Sequence, residues 1–258
     1  MLYDYHLHTE YSFDSCIKAE DLIRRAIELD YSEIAITEHV DLLPIELQAQ
    51  GLPSLRDYVG NIHQLKAIYP KINVLCGIEL GDFHRVRSFA NDLIEGLNFD
   101  IILGSIHFLS DHTNVAIPLG HPLNISQVRD YYRQNLALVS DCNFDCLAHL
   151  GVYKRYYKAV PDESFALPII KDIFSTMIAR KIALEINYST LRKGYPSFIP
   201  EISFIELYRE MGGYLFSVGS DSHKLEHFHD NHASLPQNIP SFRQVLKGRI
   251  NSNNNPQL

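Results

Sequence analysis

The chain has no tryptophan, no Cys-x-x-Cys pair, no cluster of lysines or arginines and no long apolar run. Each absence removes a class of protein. A spanning helix needs roughly 18 consecutive apolar residues, and without one a membrane protein of the helical kind is not expected. The opening residues MLYDYHLH carry neither a basic region nor a long apolar one, so a secretion signal is not expected either and a cytoplasmic location is. Lys and Arg number 23 against 31 Asp and Glu, and without a basic stripe there is no footprint for a nucleic-acid backbone. The four cysteines, Cys16, Cys76, Cys142 and Cys146, are unpaired in spacing and read as reduced, small apolar groups.

At 258 residues, with 46% hydrophobic and 21% charged positions, the chain can bury one full core, and no Gly/Ser linker divides it. Seven short β-type runs stand at 2–7, 33–37, 72–78, 99–106, 144–148, 182–186 and 214–220. Helical periods lie between them at 19–29, 55–69, 86–97, 125–140, 165–180 and 203–211. Strand and helix alternate, which predicts a parallel sheet with helical crossovers, either open or closed; the length favours a barrel. The barrel is expected over residues 1–240, followed by a short helical patch around FRQVLKG and a fraying tail in 241–258.

Histidines and acids fall at the C-terminal ends of these runs. His6 and His8 close the first, and their i, i+2 spacing sends both side chains to one face of a strand. His39 follows the second, Glu79 the third, His107 the fourth, His149 the fifth, and Asp221 with His223 the seventh. A parallel barrel gathers those strand ends on one face. A single histidine there is more often a core or loop residue than a ligand, but a coincidence at six of seven ends points to a metal-assisted site. His63, His112, His121, His227, His229 and His232 lack this placement, and His84, five residues past Glu79, is a marginal candidate for touching substrate.

With HLHTEYSFDS at 6–15, ITEH at 36–39, GIE at 77–79, GSIHF at 104–108, AHLG at 148–151, LEIN at 184–187 and SDSH at 220–223, the chain resembles the PHP (polymerase and histidinol phosphatase) family. Within the family it is most similar to the histidinol phosphatases, and the motifs run in family order along almost the whole chain. The resemblance implies an α/β fold, a distorted seven-stranded (β/α)7 TIM-like barrel, holding three divalent metal ions whose identity (Zn, Mn or Fe) stays open. It implies that His6, His8, Glu79 and Asp221 bind one ion, that Glu79 bridges to a second held by His107 and His149, and that Asp14, His39 and His223 form the third set. Some members have histidine where Asp14 stands, and a carboxylate there favours harder ions. Glu38 is expected to support the ligands rather than bind.

Two close divalent ions would lower the pKa of a shared water toward neutrality and offset charge on a phosphoryl group. Glu79, Asp221, His223 and His39 are the expected catalytic residues. Arg155, Arg192 and Ser105 are expected to hold the phosphate, with Asn187 in support; arginine suits that task through its bidentate fork. The implied activity is hydrolysis of a small phosphorylated substrate, L-histidinol phosphate, in histidine biosynthesis. A phosphodiesterase or nuclease of the same family and a non-catalytic metal-binding module are the alternatives. The segment FLSDHTNVAIPLGHPLN after His107 lacks the Gly-Trp character associated with many histidinol phosphatases, so substrate identity is less fixed than reaction type. The sequence implies nothing about oligomeric state.

Overall fold

The computed structural model describes residues 2–235. The expected helical patch and tail in 241–258 lie outside the described residues.

Seven strands form one parallel sheet in sequence order among the described residues: β1 (Leu2–Asp4), β2 (Tyr31–Asp41), β3 (Asn73–Gly81), β4 (Ile101–Ser105), β5 (Cys146–Leu147), β6 (Ala183–Asn187) and β7 (Phe216–Gly219). All six neighbouring pairs are parallel. The first and last strands meet through a seam, with Leu7 bridging Ser222, Tyr5 N–H donating to the Val218 carbonyl at 2.8 Å and Asp221 N–H donating to His6 at 2.8 Å. Closure therefore takes place at the residues singled out as ligands.

Crossover helices α1 (Ala19–Glu28), α2 (Pro44–Gln50), α3 (Leu55–Ile68), α4 (Arg87–Ile94), α5 (Ile125–Asp141), α6 (Leu167–Arg180) and α7 (Ile202–Glu210) cover the outside. In α1 the buried residues Ala19, Leu22, Ile23 and Ala26 recur at i, i+3, i+4 and i+7, which is one apolar face of a helix. Asn124 caps α5 by accepting from Gln127 N–H at 3.0 Å. Helix α2 was not foreseen. Its run PIELQAQ is too short for a periodic signal, although Pro44 in its first turn suits a helix start.

The outward set of strand residues, Ile34, Ile36, Val40, Val74, Ile78, Leu80, Leu184, Ile186 and Phe216, joins the core shared with the helices. The inward set forms a small apolar plug from Tyr5, Ala35, Leu75, Ile101, Leu103, Ala183 and Leu215. The same parity continues upward through Thr37 and Gly77 to His39 and Glu79, so the barrel interior changes from apolar to ionisable along each strand.

Candidate metal centre and active site

His39 and Glu79 were expected just beyond their strands. They lie inside them, because β2 and β3 run to Asp41 and Gly81, and they are register partners. That pairing, more than the strand ends, sets two of the ionisable groups side by side. Glu79 is fully buried and divides its oxygens. Oε2 lies 3.0 Å from His6 Nε2, 3.5 Å from His8 Nε2 and 3.2 Å from His39 Nδ1. Oε1 lies 2.8 Å from His149 Nε2 and 3.3 Å from His107 Nε2. Asp221 Oδ1 sits 3.8 Å from His6 Nε2 and 3.5 Å from His8 Nε2. His223 Nε2 is 3.2 Å from Asp14 and 3.3 Å from His39 Nε2. The structure thus brings all nine expected ligand residues together.

These donors fit metal ions. Two atoms sharing one ion at about 2.1 Å stand about 3.0–3.4 Å apart, and the separations here, from 2.8 to 3.8 Å, bracket that spacing. His8 Nε2 and His39 Nδ1 are buried and make no hydrogen bond, an arrangement costly for a polar atom that has no further role. Groups of three donors within 4.8 Å of one another include His6, His8 and Glu79; Glu79, His107 and His149; and His8, His39 and His223. Imidazole with carboxylate is a donor set for divalent ions.

The charges are mutually supported. Burial opposes ionisation of Glu79, but His6 and His39 hold it well below the usual carboxylate range. Burial likewise opposes the charge on His6, yet Glu185 and Glu79 outweigh it and raise its pKa. Burial and the neighbouring His223 and His39 push His8 down, which favours the neutral imidazole that can offer a lone pair. Asp221 is held low against its burial by Arg155 and His6.

Two residues that the sequence reading missed complete the centre. Asp41 continues the inward parity of β2 two residues past His39, and its Oδ1 lies 3.2 Å from His107 Nδ1. Extending β2 by its period-2 pattern would have found it. Glu185 on β6 accepts from His6 Nδ1 at 2.7 Å and from the His149 backbone N–H at 2.5 Å, fixing the His6 ring and the main chain that carries His149. Glycine is required where these acids pass: a methyl at Gly81 would collide with Asp41, and one at Gly219 with Glu185. His149 and Asp221 have φ of 29° and 52°, a left-handed backbone that non-glycine residues adopt at a cost.

Glu38 takes no place among the ligand-type groups. It is buried, and burial raises its pKa to about 7 despite hydrogen bonds from Ser12 and Thr9. Ser12 in turn receives His39 N–H at 3.0 Å and lies 3.2 Å from His8 Nδ1, so Glu38 braces the loop between them.

A cavity of about 350 Å³ opens beside the cluster, lined by Asp14, His39, Asp41, His107, His149, Arg155, Asp221 and His223. Arg155 pairs with Asp221 and keeps Nε without a partner. Arg192, which is not among the residues lining this cavity, donates to the Ser220 carbonyl at 2.8 Å and keeps Nε and Nη1 without partners. Buried guanidinium N–H groups with nothing to donate to suit an oxyanion. Ser105 does not join them: it is fully buried one level below His107, with its hydroxyl directed at the Leu80 carbonyl 3.5 Å away. Asn187 turns to Glu185 and Ser189. His84 bonds Gln134 at 2.7 Å, outside the cavity lining.

A closed parallel barrel with clustered histidines and carboxylates at one mouth defines a class, and the PHP domain profile matches residues 4–189. The chain belongs to the PHP domain family. Among its relatives, the Lactococcus lactis protein named "Histidinol-phosphatase" is 27% identical over 232 residues, covering 85% of this chain and 83% of that one. A Clostridium acetobutylicum protein named "Probable histidinol-phosphatase" is 29% identical over 235 residues, 86% and 87% of the two chains. A histidinol phosphate phosphatase of L. lactis, solved with zinc, L-histidinol and phosphate, shares the fold. Its TM-score is 0.73 at 24% identity, over 90% of this chain and 91% of that one.

Proposed function

We propose that the chain is a metal-dependent phosphomonoesterase that hydrolyses L-histidinol phosphate to L-histidinol and phosphate. The observation that carries this reading is Glu79, whose two oxygens face two separate histidine groups beside unpartnered arginine donors. The relatives' names supply the substrate, and the cytoplasmic biosynthetic setting expected from the sequence agrees with it.

His6, His8, Glu79 and Asp221 would hold one divalent ion, Glu79, His107 and His149 a second, and Asp14, His39 and His223 a third, Zn, Mn and Fe all matching the donors. When bound, such ions lower the pKa of water and offset the charge of the phosphoryl oxygens. Arg155 and Arg192 grip those oxygens and fix the phosphorus for in-line attack. Asp221, facing both the cavity and His8, is placed to orient the attacking water. Glu185 and Asp41 keep the rings of His6 and His107 from turning. His39 and His223 line the cavity in which the phosphate would sit.

Removal of metal by a chelator should abolish phosphate release from L-histidinol phosphate, and reloading with Zn or Mn should restore it selectively over phenyl phosphate and a diester. Turnover that survives complete chelation, or a preference for the diester, would refute the reading. Arg192→Ala should lower kcat/KM by about 10²-fold and weaken inhibition by inorganic phosphate in parallel. Unchanged phosphate inhibition would detach Arg192 from the phosphate.

A further inference from the structure

One wall of the cavity is not used by the phosphate chemistry. Helix α2 contributes Ile45 and Glu46 to it, and Phe13 and Ile117 line the same cavity. Phe13, Ile45 and Ile117 are 54%, 49% and 53% exposed, so an apolar rim surrounds the entrance to a charged interior. Such a rim gains by being covered.

Glu46 is its opposite. It is 5% exposed, and one oxygen, Oε2, receives the Leu43 N–H at 3.3 Å while the other accepts no hydrogen bond. Its charged neighbours are Asp41, Asp82 and His107; two of the three are acids, and no lysine or arginine among the described residues forms an ion pair with it. Holding one end of a helix turn requires only an acceptor, and a glutamine would serve. Burial and the neighbouring Asp41 raise the pKa of Glu46 to about 8, so an acid at this cavity wall takes up its charge when a cation comes to it. Arg155 lines the same cavity and suits the anionic end of a ligand, so a cation on that ligand would meet an acid at Glu46 rather than a base.

We infer that Glu46 is a specificity-determining residue that pairs with an ammonium on the alcohol portion of the substrate, while Phe13, Ile45 and Ile117 cover its flat ring. This rests on the histidinol phosphate reading and extends it: the site selects phosphomonoesters of amino alcohols bearing a planar side chain. The selection is electrostatic at Glu46 and apolar at the rim. Of the acids lining the cavity, Asp41 faces His107, Asp221 pairs with Arg155 and Asp14 faces His223, which leaves Glu46; Asp82, whose Oδ1 also lacks a partner, does not line it.

The test compares L-histidinol phosphate with imidazolylpropyl phosphate, which lacks only the amine, using metal-loaded protein. The ratio of their kcat/KM values should favour histidinol phosphate in the wild type and fall by about ten-fold or more in Glu46→Gln, which keeps the oxygen for Leu43. Glu46→Asp, which keeps the charge, should retain more of the ratio than the glutamine variant. Because a ratio is read, a general loss of activity does not imitate the effect. A wild-type ratio that persists in Glu46→Gln overturns the inference alone. A wild type that handles both compounds no better than phenyl phosphate overturns the histidinol phosphate reading, and the inference with it.

Discussion

Glu79→Gln should lower kcat for phosphate release by on the order of 10³-fold or more, with metal content falling in step. The amide occupies the same volume, so packing is preserved and only the charge and one acceptor are lost. Five imidazoles approach this carboxylate within 3.5 Å, and it is the group that faces both histidine sets at once. Loss of its charge removes the shared donor and leaves the cations or protonated rings around it to repel one another. Steady-state kinetics with metal analysis on the purified variant decides the matter. Retention of a tenth of wild-type kcat with full metal content would remove Glu79 from the centre of the mechanism.

The largest expected effect on stability lies elsewhere. Lys154, adjacent to Arg155 in the 3₁₀ turn Val152–Tyr156, is fully buried. Its Nζ lies 2.5 Å from Glu163 and 2.8 Å from Glu201, while Tyr132 donates to Glu163 at 2.7 Å and Tyr195 to Glu201. Lys154→Met keeps the bulk and removes the cation that Glu163 and Glu201 share, so it should cost about 3–5 kcal/mol, the usual penalty for breaking a buried ion pair. A domain of this kind has about 5–15 kcal/mol in total. A shift below about 1 kcal/mol in urea unfolding would show that water or proton uptake compensates for the missing cation.

The same cluster sets a pH dependence. It carries one base and two acids, and burial first, then Glu201, push Glu163 up to about 8 from its ordinary 4.5 despite the hydrogen bond from Tyr132. The folded form therefore holds a proton that the unfolded chain releases near 4.5. This contribution to stability is complete below that value and is lost as pH rises through about 8. Urea midpoints measured from pH 6 to 9 should fall; a flat or rising profile would assign the proton elsewhere.

Much of the architecture was legible because its signals are local and periodic. Seven β-type runs alternating with helical faces required a parallel sheet, and each of the seven strands begins inside or within two residues of its run. What escaped the sequence had weak local signals. Helix α2 is seven residues long and carries too few apolar positions to show a period. The run of β2 on to Asp41 and of β3 on to Gly81 departs from the expected ends because inward-facing His39, Asp41 and Glu79 are polar where a strand usually shows apolar residues. Asp41 was hidden by that error. Ser105 was misjudged because alternate residues of a strand share a face but differ in depth: His107 reaches the mouth, and Ser105 sits one layer beneath it.

By itself the sequence determined the fold class and which residue types could serve a metal, since strand periodicity and the His-x-His pair are properties of neighbours along the chain. Only the tertiary structure decided that Glu79 presents one oxygen to each histidine group, that Glu185 orients His6 from 179 residues away, and that Glu46 reaches the cavity wall. The reason is geometric. A barrel seam and a strand register fix distances between residues remote in sequence, and no local pattern carries that information.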